Sequence, residues 1–367
     1  MAQKPVANAL TLELEPVVAD NLGRHLETAD EWYAHDYVPF DEGRDFAFLG
    51  GEDWDPSQVT LPKEIVDALE IVLVTKDNLA GYHRELVEHF ILEDKWGRWL
   101  GRWTSEENLH AIALRQYFMV TRNIDPNADE QVRVNHVMRG YRASNYTQIE
   151  TLVFMALYER AHAVYLRTVE ARTDEPVLKN LVGRIANYEE RHLKFFDSLV
   201  GHCLEQHRDS TIAAISRRAP AFPVIGGDIL EYRDSKLRTV AEAGIFDQAA
   251  ANKVVSDGII AWGLLMWAVA VYRRRRGQTG MPVQLRYNMP IEVFFTVVPL
   301  LLVLGFFFFT ARDEAIIEAR FDEPDQVIQV YGKQWAWEAA AGAHSYTVRQ
   351  GAQALAGVRA GRMLALP

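Results

Sequence analysis

Two short motifs constrain the fold of this chain more than any other feature. Segments Glu107–His110 and Glu189–His192 each place a carboxylate three residues before an imidazole. Residues at positions i and i+3 lie on one face of an α-helix, so each pair can bind a single metal ion. Two such motifs on separate helices are typical of a four-helix bundle that holds two metals between facing helices. The sequence therefore predicts an all-α fold around a metal centre.

A third carboxylate belongs to the same centre by its position in the sequence. Two long helices are predicted over residues 146–172 and 176–207, and the linker between them is so short that they should be antiparallel neighbours. Glu159 and Glu189 both lie fifteen residues from position 174. Residues equidistant from the turn of such a hairpin lie at the same height, which predicts Glu159 beside the second motif.

The remaining helices are predicted from apolar periodicity and from Pro and Gly positions. Residues 1–60 contain one early helix followed by loops. A helical pattern covers residues 62–90, and after a short connection near Gly97 a second helix is predicted to begin around Thr104. Residues 209–250 are predicted to form further helices that pack outside the bundle.

The composition changes abruptly near residue 258. Residues 258–272 are apolar and uncharged and precede Arg273–Arg276, whereas residues 293–311 form a second uncharged apolar run that is long enough for a transmembrane helix. The arginines favour an N-terminal side that stays in the cytoplasm, anchored to the cell membrane through 293–311. The predicted domains are 1–257, a membrane segment of one or two hydrophobic helices at 258–312, and a short β-like or irregular tail at 313–367.

Charge and cysteine content exclude several classes of function. The net charge of −11 argues against nucleic acid as a partner. Cys203 is the single cysteine, so neither an internal disulfide nor a thiolate metal cluster can form. Carboxylates and imidazoles without thiolates suit iron or manganese better than zinc.

Residues 1–257 resemble the soluble acyl-acyl carrier protein desaturases of the bacterial type. The strings that carry the resemblance are WYAHDYVPF, KDNLAGYHRELVEHF, WGRWLGRWTSEENLHAIALRQY, ETLVFMALYERAHAV and EERHLKFF. The resemblance implies a ferritin-like bundle with flanking helices and a di-iron centre. It also implies oxygen-dependent desaturation of an acyl chain on acyl carrier protein, electrons from ferredoxin, and a homodimer.

The same resemblance implies a role for each motif residue. Glu107 and Glu189 would bridge two metals, and His110 would bind the metal of the first site. His192 and Glu159 would bind the metal of the second site. Trp32 matches a family tryptophan that is proposed to relay electrons towards the first-site histidine.

Three positions depart from the family pattern around this centre. Lys76 stands where plant members carry a first-site glutamate, and a protonated lysine cannot bind a metal. Its ammonium would neutralise the bridging carboxylates and leave one metal, iron or manganese, in the second site. Asp77 is the rival ligand, although it lies about 100° away around the helix. His162 replaces a threonine near the oxygen site, and Tyr188 replaces an acidic residue that orients His110 in some members. The catalytic candidates are Trp32, Lys76, His162 and Tyr188.

Residues 258–338 resemble a different family, subunit II of haem-copper cytochrome c oxidases. The matching strings are AWGLLMW, the arginine run, YNMPIEVFFTVVPLLLVLGFFFF and GKQWAWE. No cysteine follows Cys203, so the dinuclear copper site of that family cannot form. The two resemblances indicate a fused or recombined chain. Two alternatives to an active desaturase stay open: a catalytically weak or silent metal-binding homologue, and a structural subunit of a respiratory oxidase.

Overall fold

The chain divides into two compact units, Met1–Arg276 and Gly277–Pro367. The computed structural model describes residues 8–140, 144–233, 235–272, 312, 328–333, 336–341 and 344–349.

The first unit is built from α-helices and short 3-10 helices in the part of it that the structure describes. The α-helices are α1 (Ala9–Thr28), α2 (Lys63–Asp77), α3 (Leu79–His89), α4 (Asp94–Thr121), α5 (Pro126–Met138), α6 (Gln148–Arg172), α7 (Pro176–Gln206), α8 (Arg208–Arg218), α9 (Lys236–Glu242) and α10 (Gln248–Tyr272). The 3-10 helices are Ala34–Asp36, Phe40–Glu42, Ala47–Leu49, Pro56–Gln58 and Leu230–Tyr232.

The long pair α6 and α7 forms close to its predicted bounds because both helices begin at strong caps. The Thr147 side chain accepts a hydrogen bond from the backbone of Glu150, and the Glu150 side chain bonds back to Thr147. The Glu175 side chain caps α7, whose first residue is Pro176. The two helices pack against each other along their length, as the short linker predicted.

Two of the predicted helix bounds are wrong. The pattern over 62–90 is two helices, α2 and α3, which are separated at Asn78. The helix predicted from Thr104 already begins at Asp94, so Thr104 lies within it. Gly97 is a helical residue rather than part of a connection. A Cβ at Gly97 would lie 2.1 Å from the backbone oxygen of Leu92, so the preceding turn packs tightly against the helix only because this residue is glycine.

Helices α2, α4, α6 and α7 surround a common centre, and the other helices cover them. The packed pairs include α2 with α4, α4 with α7, α6 with α7, and α2 with α6. Helix α1 covers α4 and α7, α9 packs on α2, and α8 and α10 lie against α6 and α7. Each of the four central helices carries fully buried apolar residues, such as Leu69, Trp99, Leu152 and Leu199. This arrangement confirms the predicted bundle with flanking helices.

Arg122, at the end of α4, stabilises the long loop that follows α1 through hydrogen bonds. It has a left-handed φ of 59° and is almost completely buried. Its guanidinium donates to the backbone oxygens of Glu52, Arg44 and Asp45 at 2.8, 2.9 and 3.0 Å. The same group lies 3.7 Å above the ring of Phe46.

Arg122→Ala is therefore expected to destabilise the bundle and to free this loop. The substitution leaves three backbone oxygens without a charged donor, which should lower the free energy of unfolding by about 3 kcal/mol. Chemical denaturation measures the loss, and limited proteolysis should show faster cleavage within residues 44–52. The control is Arg133→Ala, which removes an exposed pair with Glu130 and should cost less than about 1 kcal/mol. Equal stability losses in the two variants would contradict the expectation.

The second unit contains a three-stranded antiparallel sheet in its described residues. The strands β1 (Ile328–Lys333), β2 (Ala336–Ala341) and β3 (His344–Arg349) pair in the order β1-β2-β3. Tyr331 pairs with Glu338, and Ala339 pairs with Tyr346. The β-like tail predicted from the sequence includes β1, whereas β2 and β3 extend into a stretch with little sequence pattern.

Helix α10 carries the first of the two apolar runs. It is continuous through position 258, where the composition changes, and packs against α6 and α7. Among the residues that the structure describes, no helix is both long enough and apolar enough to cross a membrane. The predicted span 293–311 lies outside the described residues.

Candidate metal centre

The four central helices each contribute charged side chains to a buried cluster. Lys76 comes from α2, Glu107 from α4, Glu159 from α6, and Glu189 with His192 from α7. Their relative exposures are all 2% or less. Burial of this much charge requires partners for each group, since an isolated buried ion is strongly destabilising.

One part of the cluster has the arrangement of a metal site. Glu107, Glu159, Glu189 and His192 each offer one ligand atom, and these atoms lie within 4.8 Å of one another. The atom Nδ1 of His192 is 3.3 Å from Oε1 of Glu107 and 3.8 Å from Oε2 of Glu159. The structure thus brings Glu159 to the second motif, as the equidistant positions predicted.

Several of these atoms have no hydrogen-bond partner within the described part of the chain. They are Glu107 Oε1, Glu159 Oε2, Glu189 Oε2 and His192 Nδ1. Three carboxylate oxygens and one imidazole nitrogen that converge while lacking donors of their own form an environment that suits a divalent cation such as iron or manganese. The residues therefore fit a metal ion at this position.

Lys76 occupies the other part of the cluster. Its Nζ lies 2.7 Å from Oε2 of Glu107 and 2.7 Å from Oε1 of Glu189. An ammonium therefore stands between the two carboxylates that the family resemblance identifies as bridging ligands. Asp77 takes no part in the cluster, because its carboxylate pairs with Arg115 of α4.

The carboxylates and the ammonium stabilise each other's charged forms. Burial opposes the charge on Lys76, but Glu107 and Glu189 outweigh burial and raise the pKa of Lys76 above its ordinary value. Burial and Glu107 would raise the pKa of Glu189, yet Lys76 and His110 bring it down to about 2. Glu159 is different: burial, followed by the charge of Glu107, holds its pKa well above the ordinary range. Glu159 is thus the carboxylate whose ionised form a bound cation would stabilise most.

His110 lies beside Lys76 but outside the four-residue metal group. Its Nδ1 is 3.0 Å from Oε1 of Glu189 and 3.3 Å from Oε1 of Glu107. The Trp32 ring stacks near it, with a centroid distance of 6.2 Å and an interplanar angle of 23°. Trp32 is also buried. It thus lies next to His110, the histidine towards which the resemblance implies that a tryptophan relays electrons.

Tyr188 and His162 border the cluster without joining it. The Tyr188 hydroxyl donates to the backbone oxygen of Asp30 at 2.7 Å, while its ring meets the edge of His110 at 5.9 Å. Nδ1 of His162 lies 3.0 Å from the backbone oxygen of Tyr158 and donates to it. Burial lowers the pKa of His162 to about 4, so the ring is neutral at neutral pH. Its Nε2 is therefore a buried acceptor, and it has no partner among the described residues.

Three residues of the centre were missed by the sequence analysis. Glu106 binds Nε2 of His192 at 2.8 Å, and His25 binds the other Glu106 oxygen at 2.9 Å. Trp103 donates to Oε1 of Glu159 at 2.9 Å. Trp103 lies one helical turn before Glu107, and this spacing could have indicated it. Nothing in the sequence near His25 indicates its role.

A surface cavity of about 440 Å³ lies between α3 and α6. Tyr82, Phe154 and Met155 contribute to its lining. The Tyr82 ring lies 5.0 Å from the Tyr158 ring, which in turn lies 4.1 Å from the His162 ring. A line of aromatic residues thus runs from the cavity to His162.

Comparison with known proteins finds two unrelated similarities. The family model described as fatty acid desaturase matches residues 7–272. A Mycobacterium tuberculosis protein with the provisional name acyl-[acyl-carrier-protein] desaturase DesA2 is 65% identical over 264 residues, which are 72% of this chain and 96% of DesA2. The crystal structure of DesA2 matches with a TM-score of 0.61 and 56% identity, covering 70% of this chain and 96% of that chain.

The second similarity is to a respiratory protein. A Streptomyces avermitilis protein, provisionally named cytochrome c oxidase subunit 2, is 46% identical over 90 residues. The match covers 24% of this chain and 28% of that protein, so it spans less than a third of its length.

Proposed function

This chain belongs to the fatty acid desaturase family, and on that premise we propose that it introduces a double bond into an acyl chain carried on acyl carrier protein. DesA2, which is 65% identical, carries the name of such an enzyme. The observation that supports the proposal most directly is the group of buried ligand atoms of Glu107, Glu159, Glu189 and His192 within 4.8 Å of one another. Membership of a family does not by itself show that a chain carries a catalytic centre, whereas these four residues could bind a metal.

We propose that these four residues hold one iron or manganese ion, and that Lys76 takes the place of a second ion. Iron held there would supply the redox chemistry with dioxygen that breaking unactivated C–H bonds requires. In the overall reaction the acyl chain loses two hydrogens, and one dioxygen with two electrons and two protons becomes two waters. We assign the supply of electrons to a ferredoxin, with Trp32 beside His110 as the point of entry.

The acyl chain would reach the centre through the cavity between α3 and α6. The apolar and aromatic part of its lining, Tyr82, Phe154 and Met155, suits a hydrocarbon, and the Tyr158 ring lies between Tyr82 and His162. The neutral His162 ring would border the bound chain and present its free Nε2 to any donor in the pocket. Tyr188 would hold the edge of His110 in place.

The test is turnover of a carrier-bound substrate by the purified full chain. Stearoyl- or palmitoyl-acyl carrier protein is incubated with ferredoxin, its reductase and oxygen, and the product is identified by mass spectrometry as a loss of two mass units. A metal-stripped sample is the control. A metal-loaded chain that forms no unsaturated product would overturn the assignment of activity.

The second candidate is a metal-binding homologue with little or no turnover. Lys76 favours it, because the ammonium 2.7 Å from both Glu107 and Glu189 stands where a two-metal enzyme needs a cation. The two candidates differ in product formation while sharing the same metal content. The turnover assay therefore separates them.

The C-terminal similarity supports a separate set of proposals. We propose that residues 293–311 anchor the chain in the cell membrane, with the helical unit in the cytoplasm as a homodimer. Right-side-out spheroplasts should then protect the helical unit from added protease. A structural role in a respiratory oxidase rests on the 90-residue match, and co-purification with haem-containing subunits tests it. Cys203 is the single cysteine of the chain, so a dinuclear copper site is not proposed.

A further inference from the structure

His192 is held by a chain of buried groups that begins outside the four central helices. Its Nε2 lies 2.8 Å from Oε2 of Glu106, and Oε1 of Glu106 lies 2.9 Å from Nε2 of His25. His25 belongs to α1, and its side chain is 4% exposed. Arg102 also donates to Glu106, from one turn earlier on α4.

The contact with Glu106 decides which nitrogen of His192 can bind a metal. A carboxylate only accepts hydrogen bonds, so the Nε2 that faces it carries the hydrogen. In the neutral ring Nδ1 is then the free lone pair, and Nδ1 is the atom that points to Glu107 and Glu159. An outer carboxylate of this kind fixes both the tautomer and the orientation of a metal-binding imidazole.

His25 in turn is placed so that it can hold Glu106 in this orientation. The His25 ring lies parallel to the His192 ring, at a centroid distance of 6.0 Å and an interplanar angle of 19°. The edge of Trp99 packs against both rings, at 5.3 and 6.3 Å. One imidazole therefore donates to each oxygen of Glu106, and the contact with Trp99 keeps the two rings parallel.

Around His110, the described residues form no equivalent arrangement. In the described residues, Nε2 of His110 has no hydrogen-bond partner, and the neighbouring Tyr188 hydroxyl is engaged by Asp30. Hydrogen bonds from residues around the cluster thus orient His192, on the side that can accept a metal, but not His110.

We propose that His25 is a positioning residue for the metal centre, which acts through Glu106 to present Nδ1 of His192 to the ion. The inference rests on the proposed metal site and extends that site to α1. It does not depend on desaturation.

Metal affinity of the full-length protein tests this role. The purified chain is stripped, and its affinity for Mn²⁺ is measured by competition with a chelator and by the electron paramagnetic resonance of the bound ion. His25→Phe keeps a ring but loses the donor, and it is expected to weaken Mn²⁺ binding about tenfold or more. His25→Gln keeps a donor and should retain most of the affinity. Unchanged affinity in His25→Phe would overturn the proposal.

A matched control and a second readout complete the design. His202→Phe removes another imidazole that bonds a glutamate, Glu13, far from the cluster, and it should leave the affinity unchanged. If His25→Phe does not fold, His25→Leu removes the same donor with a smaller side chain. The His192 tautomer is read from the ¹⁵N imidazole spectrum of the metal-free chain at a pH high enough to keep the ring neutral, and it should show Nε2–H in the wild type and a mixture in His25→Phe. A wild type that binds no Mn²⁺ would contradict the metal site, whereas an unchanged tautomer would contradict the role of His25.

Discussion

Replacing Lys76 with glutamate is expected to raise the metal content of the full chain from one ion to two. The Lys76 ammonium lies 2.7 Å from Glu107 and 2.7 Å from Glu189, and it is the shared ion-pair partner of both carboxylates. The substitution removes that charge and introduces a carboxylate on α2 beside Glu107, Glu189 and His110. Two ions then become both possible and necessary, because the added negative charge needs a cation. Elemental analysis of iron-reloaded protein measures the change.

Lys76→Met separates the removal of the ammonium from the addition of a ligand. Its thioether is a poor ligand for a hard cation, so the metal content should stay at one. The metal-free variant should lose about 3 to 5 kcal/mol of unfolding free energy, because two buried carboxylates lose their shared partner. Two ions per chain in the wild type, or one in Lys76→Glu, would contradict the idea that lysine replaces the first metal. Product formation that rises in Lys76→Glu would also identify Lys76 as the reason for a weak activity.

Glu159→Gln is expected to abolish metal binding while stabilising the metal-free protein. The amide oxygen of glutamine can still accept the 2.9 Å hydrogen bond from Trp103, so the packing of α6 is kept. Burial and the charges of Glu107 and Glu189 raise the pKa of Glu159 and so make its ionised form unfavourable, a cost that the neutral glutamine avoids. The thermal midpoint of the stripped protein should rise by about 2–4 °C, which corresponds to about 1 kcal/mol.

Metal affinity should move in the opposite direction. Removing a direct ligand should weaken metal binding by more than the roughly 100-fold that results from removing a residue hydrogen-bonded to a ligand. Desaturation should become undetectable. Glu190→Gln is the control: it lies one residue from Glu189 but pairs with Arg167 on the outer face of α7. A Glu159→Gln variant that binds metal as tightly as the wild type would remove Glu159 from the site.

The spacing of residues predicted the centre of this molecule because helical geometry is a local property. The i, i+3 motifs and the equal distances of Glu159 and Glu189 from their turn follow from the helix repeat alone. The family resemblance of KDNLAGYHRELVEHF predicted Lys76 at the centre, and in the structure its ammonium lies against both Glu107 and Glu189. Asp77, its rival, pairs with Arg115 instead, as its angle around the helix suggested.

Residues that act across long sequence separations were not predictable in this way. His25 meets Glu106 across 81 positions, and that contact depends on how α1 packs on α4. The start of α4 was placed too late because Gly97 was interpreted as a connection. In the structure that glycine permits a close approach by Leu92, which no local propensity encodes.

The continuity of α10 sets a condition on how two unrelated genes could be joined here. Trp262 donates to Asp197 at 2.9 Å, and a Cβ on Gly258 would lie 3.1 Å from Leu157. Each residue inserted into a helix rotates everything after it by about 100°. A recombination point inside this helix must therefore preserve the helical phase as well as the reading frame. A fusion that keeps the reading frame but changes the helical phase would still be translated, yet it would rotate Trp262 away from Asp197. Packing of the bundle therefore restricts which fusions can fold.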